Sequence, residues 1–142
     1  MPRLRIRYTR DVEPIGRIEG GDWIDLRCGI TTALKKGEYI QIPLGIAVQL
    51  PKGYEAIIAP RSSAFKRYGV IAANSIGIID EAYCGDDDEW CFLAYATRDT
   101  VIPKNERICQ FRILQHQPSV YIETVERLGN ENRGGIGSTG RA

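Results

Sequence analysis

What this chain has little of narrows its chemistry before any motif is read. It carries a single histidine, His116. That removes most zinc sites, the Ser-His and Cys-His nucleophilic pairs, and the His-x-Glu plus Cys-x-x-Cys pattern of zinc deaminases. Its four cysteines, Cys28, Cys84, Cys91 and Cys109, are scattered and form no Cys-x-x-Cys. They read as reduced thiols acting as small hydrophobes, with no metal-ligand role expected for Cys84 and Cys91. No Gly-x-x-x-x-Gly-Lys-Ser/Thr loop is present, so any phosphate site is not a P-loop. No stretch approaches the roughly 18 apolar residues of a membrane helix. Charge of one sign is lacking too: 19 basic residues face 18 acidic ones, for a formal net charge of +1. That balance argues against direct nucleic-acid binding and against a membrane-surface role. Met1 to Arg10 alternates charge with bulk and lacks the apolar core of a signal peptide, so a cytoplasmic location is expected.

What is there reads as strands. At 142 residues and 43% hydrophobic content, the chain is long enough for one domain with a buried core. Leu4, Ile6 and Tyr8 alternate with Arg3, Arg5 and Arg7, the signature of a half-buried strand. Trp23 to Cys28, Tyr39 to Leu50, Tyr54 to Ala59, Trp90 to Ala96, Ile108 to Gln115 and Ser119 to Val125 continue the pattern. Pro43 suggests a bend or an edge position inside its segment. Turns are expected at Pro51-Lys52-Gly53 and at Pro103-Lys104-Asn105. Helix is scarce, with one candidate at Ser62 to Tyr68, where Ser62 or Ser63 can cap the first turn. The expected class is all-β, a distorted jelly roll or β-sandwich with one short helix. Residues 1–128 form the single β domain, and 129–142 a flexible, glycine-rich C-terminal arm.

Three segments carry chemistry. The last ten residues, Arg133 to Ala142, hold four glycines, two hydroxyls and two arginines, which cannot build a core. Glycines leave backbone amides free to curl around an anion, and Arg133 adds a fork matched to phosphate oxygens. Pro60-Arg61-Ser62-Ser63 sets an arginine and two hydroxyls at the start of the short helix, a second anion cradle. Between them, Asn74 to Gly85 resembles a hairpin that carries a carboxylate, Asp80, and an aromatic, Tyr83, into one pocket. A carboxylate beside phosphates can orient and deprotonate a water.

Taken together these segments resemble the all-β deoxyuridine triphosphate nucleotidohydrolases, or dUTPases, along nearly the whole chain. Five motifs occur in the family's order. They are Asp22-Trp23-Ile24-Asp25-Leu26, Pro60 to Ser63, Asn74 to Gly85, Arg107-Ile108-Cys109-Gln110, and Arg133 to Gly140. The resemblance implies hydrolysis of dUTP to dUMP and pyrophosphate, which keeps uracil out of DNA and supplies dUMP for thymidylate synthesis. It implies that Asn74 and the backbone of Gly77, Ile78 and Ile79 read uracil, and that Tyr83 presses on the deoxyribose. Asp80 would contact the 3′-hydroxyl and activate the water that attacks the α-phosphorus. Arg61, Ser62, Ser63 and Gln110 would hold the phosphate chain, with Arg133, Ile136, Gly137, Ser138 and Thr139 closing from the tail. Magnesium would ride largely on the triphosphate, with Asp25 near its water shell. The family's three chains form a homotrimer whose sites draw on more than one subunit.

Two features depart from the family pattern. Ile136 stands where most members carry a phenylalanine that stacks on uracil, so Trp90 or Phe92 is a candidate for the missing aromatic. Asp86-Asp87-Asp88-Glu89 is unusually acidic for a triphosphate site and reads as a solvated turn. Two alternatives stay open at the level of sequence. One is a deaminase of deoxycytidine triphosphate, which needs a glutamate poised at the pyrimidine where Ile78-Ile79-Asp80 stands here. The other is a nucleotide-binding regulator without catalysis, against which the presence of Asp80, Tyr83, Arg107 and Gln110 argues.

Overall fold

A computed structural model describes residues 1–16 and 21–135. Among them lie ten strands and one helix. In chain order these are β1 (Arg5–Tyr8), β2 (Ile24–Arg27), β3 (Thr32–Leu34), β4 (Tyr39–Gln49), β5 (Tyr54–Pro60), α1 (Ser62–Tyr68), β6 (Val70–Ala72), β7 (Gly77–Ile79), β8 (Glu89–Ala96), β9 (Thr100–Ile102) and β10 (Arg107–Gln115). Two four-stranded antiparallel sheets, ordered β1-β4-β8-β6 and β2-β10-β5-β7, are accompanied by a small β3-β9 ribbon. The all-β sandwich expected from alternation is the observed class.

The core follows from period-two alternation. In β8, Trp90, Phe92, Ala94 and Ala96 are buried while the residues between them are more exposed. Trp90 from one sheet meets Phe111 from the other edge-to-face, with ring centroids 5.2 Å apart, the geometry that ring quadrupoles favour. Leu26, Ile42, Leu44, Ile46 and Ile108 complete one continuous cluster.

Pro43 sits where the β4–β8 register shifts, between Pro43 and Ala47. Gly45 there has φ 75°, a conformation few other residues adopt. The expected bend is therefore a bulge, and it lets β4 serve β8 at one end and β1 at the other.

Three expectations need correction. Ser119 to Val125 forms no strand, because it finds no partner among the described residues and lies exposed. Alternation makes a strand only where a neighbour supplies the ladder. Neither Ser62 nor Ser63 caps α1: the cap position is Arg61, and no side chain bonds back to the first turn. Asn74 to Gly85 does not close a hairpin on itself. β6 pairs with β8, and β7 pairs with β5 in the other sheet, so the segment crosses between sheets. Ser75, at φ 64°, makes the tight reversal.

Candidate active site

The site residues gather in two places set by one strand, β5. On one side of it lies β7, with Ile79 opposite Ala56 and Gly77 opposite Ile58. A Cβ at Gly77 would stand 3.3 Å from the Cβ of Ile58, so glycine lets these backbones approach. Asp80 follows directly after β7. The Tyr83 amide then donates to the Asp80 carbonyl at 3.0 Å, turning the chain so that both side chains face one cavity. That cavity has a volume of about 310 Å³, at the small end of the range for small-molecule clefts, and suits a nucleoside. Asn74, Gly77, Ile78, Ile79, Asp80 and Tyr83 all line it. Gln41, Ile58, Glu89, Trp90, Cys91 and Leu93 line it too. Sequence reasoning missed most of these because they come from strands β4, β5 and β8, and only sheet register brings them here.

Electrostatics in this cavity favour a neutral phenol and a charged carboxylate. Burial, then nearby Asp88, Cys91 and Glu89, push the Tyr83 phenol up, so it keeps its proton. Its hydroxyl donates to the Glu89 carbonyl at 3.1 Å. Burial would raise the Glu89 carboxyl, but hydrogen bonds from Arg10 and Thr9, the Arg10 charge and the Gly45 amide together hold it below its ordinary value. Burial and the Glu89 charge push the Cys91 thiol up, which leaves it protonated.

The second place lies at the far end of β5, where Pro60 stands opposite Cys109 of β10. Asp25 of β2, opposite Gln110, is the hub. Its Oδ1 lies 3.3 Å from Arg61 Nε and its Oδ2 3.6 Å from Arg107 Nη1. The Arg61 amide donates to the Ile108 carbonyl at 3.1 Å, and Gln110 Nε2 donates to the Pro60 carbonyl at 3.3 Å. Three motifs far apart in sequence thus converge, with one half-buried carboxylate orienting two guanidiniums. Ser62 is exposed and Ser63 half-buried beside them. Such a cluster can neutralise a polyanion. It offers no resident metal site: among the described residues, no group of three or more His, Cys, Asp or Glu could hold an ion. Both Asp25 oxygens already face arginines, which fits a magnesium delivered on the phosphates rather than one ligated directly.

The two places stay apart within one chain. Asp80 and Arg61 leave β5's two ends, six residue steps apart in register, on the order of 20 Å at roughly 3.3 Å per residue.

The sequence model of the dUTPase family matches residues 24–140. The chain belongs to the dUTPase family. It is 53% identical over 139 residues to the SPbeta prophage-derived deoxyuridine 5'-triphosphate nucleotidohydrolase YosS of Bacillus subtilis (strain 168), covering 97% of this chain and 98% of that protein. Among solved structures, a mutant of the Staphylococcus bacteriophage 80alpha dUTPase with dUpNHpp superposes at TM-score 0.79 and 18% identity, covering 98% of this chain and 99% of that one. A mutant dUTPase from phage phi11 of S. aureus, solved for its coordination of a structural Mg(II) ion, gives TM-score 0.76 at 16% identity, covering 89% and 98%.

Within this family frame, two expectations change. Trp90 is 0% exposed and Phe92 2%, so both belong to the core and neither can swing over a base. The acidic run is also more than a solvated turn. Asp88 Oδ2 accepts the Gly85 amide at 2.8 Å, and Glu89 Oε2 accepts Arg10 Nε at 2.9 Å, so these two carboxylates are spent on the loop and on Arg10. Arg133 is exposed, while Ile136, Gly137, Ser138 and Thr139 lie outside the described residues.

Proposed function

We propose that this protein hydrolyses dUTP to dUMP and pyrophosphate by attack of water on the α-phosphorus. The observation that carries the reading is the nucleoside-sized cavity shared by Asp80 and Tyr83 in a chain of this family. Asn74 and the β7 backbone from Gly77 through Ile79 read the uracil edge, and Tyr83 bars a 2′-hydroxyl. Asp80 takes the proton of the attacking water as its oxygen bonds the α-phosphorus. The bond from that phosphorus to the bridging oxygen breaks, and pyrophosphate leaves with the electron pair. Arg61, Ser62, Ser63 and Gln110 hold the phosphate chain, with Asp25 keeping Arg61 and Arg107 aligned. A magnesium ion carried by the triphosphate would neutralise part of its charge, and Asp25 is the residue that would hold it, through water. Positioning and charge neutralisation are what phosphoryl chemistry needs most.

The working unit in this reading is a homotrimer in the cytoplasm. Support comes from the gap of roughly 20 Å between Asp80 and Arg61, too wide for one triphosphate to bridge within a chain. Further support comes from 117–128, which exposes Val120, Tyr121, Ile122, Val125 and Leu128. Apolar side chains in such a run need a surface to cover. A second copy supplies one, and residues 129–142 then reach a neighbouring site, with Arg133, Ile136, Gly137, Ser138 and Thr139 closing over the nucleotide. The test is incubation of the protein with each deoxynucleoside triphosphate, and with UTP, in the presence of magnesium. Pyrophosphate released from dUTP, with dTTP and UTP nearly untouched, is the expected result. Ammonia released from dCTP, or equal rates on all pyrimidine triphosphates, overturns it.

A further inference from the structure

Thr9 and Arg10, just after β1, hold a residue that lines the cavity beside Tyr83 and lies outside the five motifs, Glu89. Glu89 opens β8 and does two things at once. Its backbone carbonyl accepts the Tyr83 hydroxyl at 3.1 Å. Its carboxylate accepts Arg10 Nε at 2.9 Å, Arg10 Nη2 at 3.3 Å and the Thr9 hydroxyl at 2.5 Å. Thr9 is itself tied to the β4 bulge, its amide donating to the Gly45 carbonyl at 2.9 Å. The loop before Glu89 is folded back by Asp88, whose amide donates to the Gly85 carbonyl at 3.1 Å. Arg7 Nη1 anchors the same loop by donating to the Asp86 carbonyl at 3.1 Å.

This matters because Tyr83 is 40% exposed. A ring so open is not held by packing, so its placement depends on the hydroxyl's acceptor. That acceptor is only as fixed as Glu89, and a two-oxygen grip by a guanidinium is a directional way to fix it. Excluding a hydroxyl by shape also demands tight positioning, since a shift of about 1 Å opens enough room to change a rate substantially.

We propose that Glu89, clasped by Thr9 and Arg10, is a positioning residue for Tyr83 and thereby sets the discrimination against ribonucleotides. The inference rests on the reading that Tyr83 lies against the sugar. The test compares kcat/KM for UTP and dUTP in Arg10→Gln, Arg10→Lys, Thr9→Val, Tyr83→Ala and the double variant Arg10→Gln/Tyr83→Ala. Arg10→Gln should raise the UTP:dUTP ratio about tenfold, on the scale of a lost shape filter. Thr9→Val should move it less in the same direction, and Arg10→Lys should restore part of the selectivity. The double variant should be no less selective than Tyr83→Ala alone, because residues acting as a unit are non-additive. If Arg10→Gln and Thr9→Val lower both rates in parallel while Tyr83→Ala shifts the ratio, the clasp is only structural and the inference falls, with the reading of Tyr83 intact. If Tyr83→Ala itself leaves the ratio unchanged, the reading of Tyr83 falls and the clasp with it.

Discussion

The two ends of β5 solve different problems. At the β7 end, twelve contiguous residues from Asn74 to Gly85 cross between sheets and bound a cavity by backbone and shape. At the Pro60 end, Asp25 of β2, Arg61 before α1, and Arg107 and Gln110 of β10 meet through charge and hydrogen bonds. The first kind of site selects by exclusion, where a methyl or hydroxyl too many is refused. The second binds any polyphosphate, since guanidiniums read charge and geometry and carry no information about the base. Under the proposed function, selectivity and affinity are therefore separable and are assigned to opposite ends of one strand.

The largest expected break in that comparison comes from Asp80→Asn, which keeps size and much of the hydrogen bonding. Turnover should fall by about 10²-fold or more, the usual scale for losing a general base, with KM little changed. Single-turnover and steady-state rates on dUTP check this, and near-normal turnover would move the base elsewhere.

Ending the chain before Arg133 should follow, lowering turnover by about 10²-fold while the melting transition stays put. Only Ile136 is a sizeable apolar side chain in the removed segment. Ile136→Ala should do much less harm, because isoleucine contributes apolar cover of roughly 1–3 kcal/mol at full burial and no stacking geometry. Equal damage from the two changes would make Ile136 itself the lid.

Arg61→Gln should act at the other end of β5. We expect kcat/KM for dUTP to drop about 10- to 100-fold, the worth of one charged hydrogen bond, mainly through KM. The preference for dUTP over dTTP and UTP should not change. A selectivity loss in Arg61→Gln would mean that the two ends of the strand are coupled rather than separable.

The smallest effect is one of pH on stability. Glu89 has its folded pKa lowered from the ordinary 4.5, so its contribution is present above that value and fades as pH falls through the folded one. The difference in Tm between the unmodified protein and Glu89→Gln should therefore be greatest near neutrality and should close below about pH 4.5. A difference that stays constant into acid would show that the Arg10 pairing contributes nothing electrostatic. Its size is modest because Arg10 and Glu89 keep side-chain exposures of 39% and 20%, and solvent screens them.

How much of this was legible beforehand differs between the two regions. The cavity's own wall was readable, because Asn74, Gly77, Asp80 and Tyr83 are neighbours in sequence and a local turn suffices to bring them together. Its opposite wall was not. Gln41, Ile58 and Leu93 arrive through the pairing of β4 with β8 and of β5 with β7, and register is a property of two strands, not of one. The same limit explains the misplaced aromatic lid. Alternation along β8 puts Trp90 and Phe92 on one face, yet only the opposing sheet, with Phe111, says that this face is the core. The acidic run was misjudged because its partners, Thr9 and Arg10, lie about eighty residues upstream.

The sequence by itself determined the longer strands, the short helix over Ser62–Tyr68 and the membership of the dUTPase family. Those features depend on period-two alternation, on glycine and proline at turns, and on side-chain type, all of them local. Only the tertiary structure decided that Asp25 orients two arginines, that Glu89 is tied to the end of β1, and that Asp80 and Arg61 stand at opposite ends of β5. Each of these is a contact between residues distant in the chain. Its geometry is set by sheet order and register, through which many weak packing terms act together.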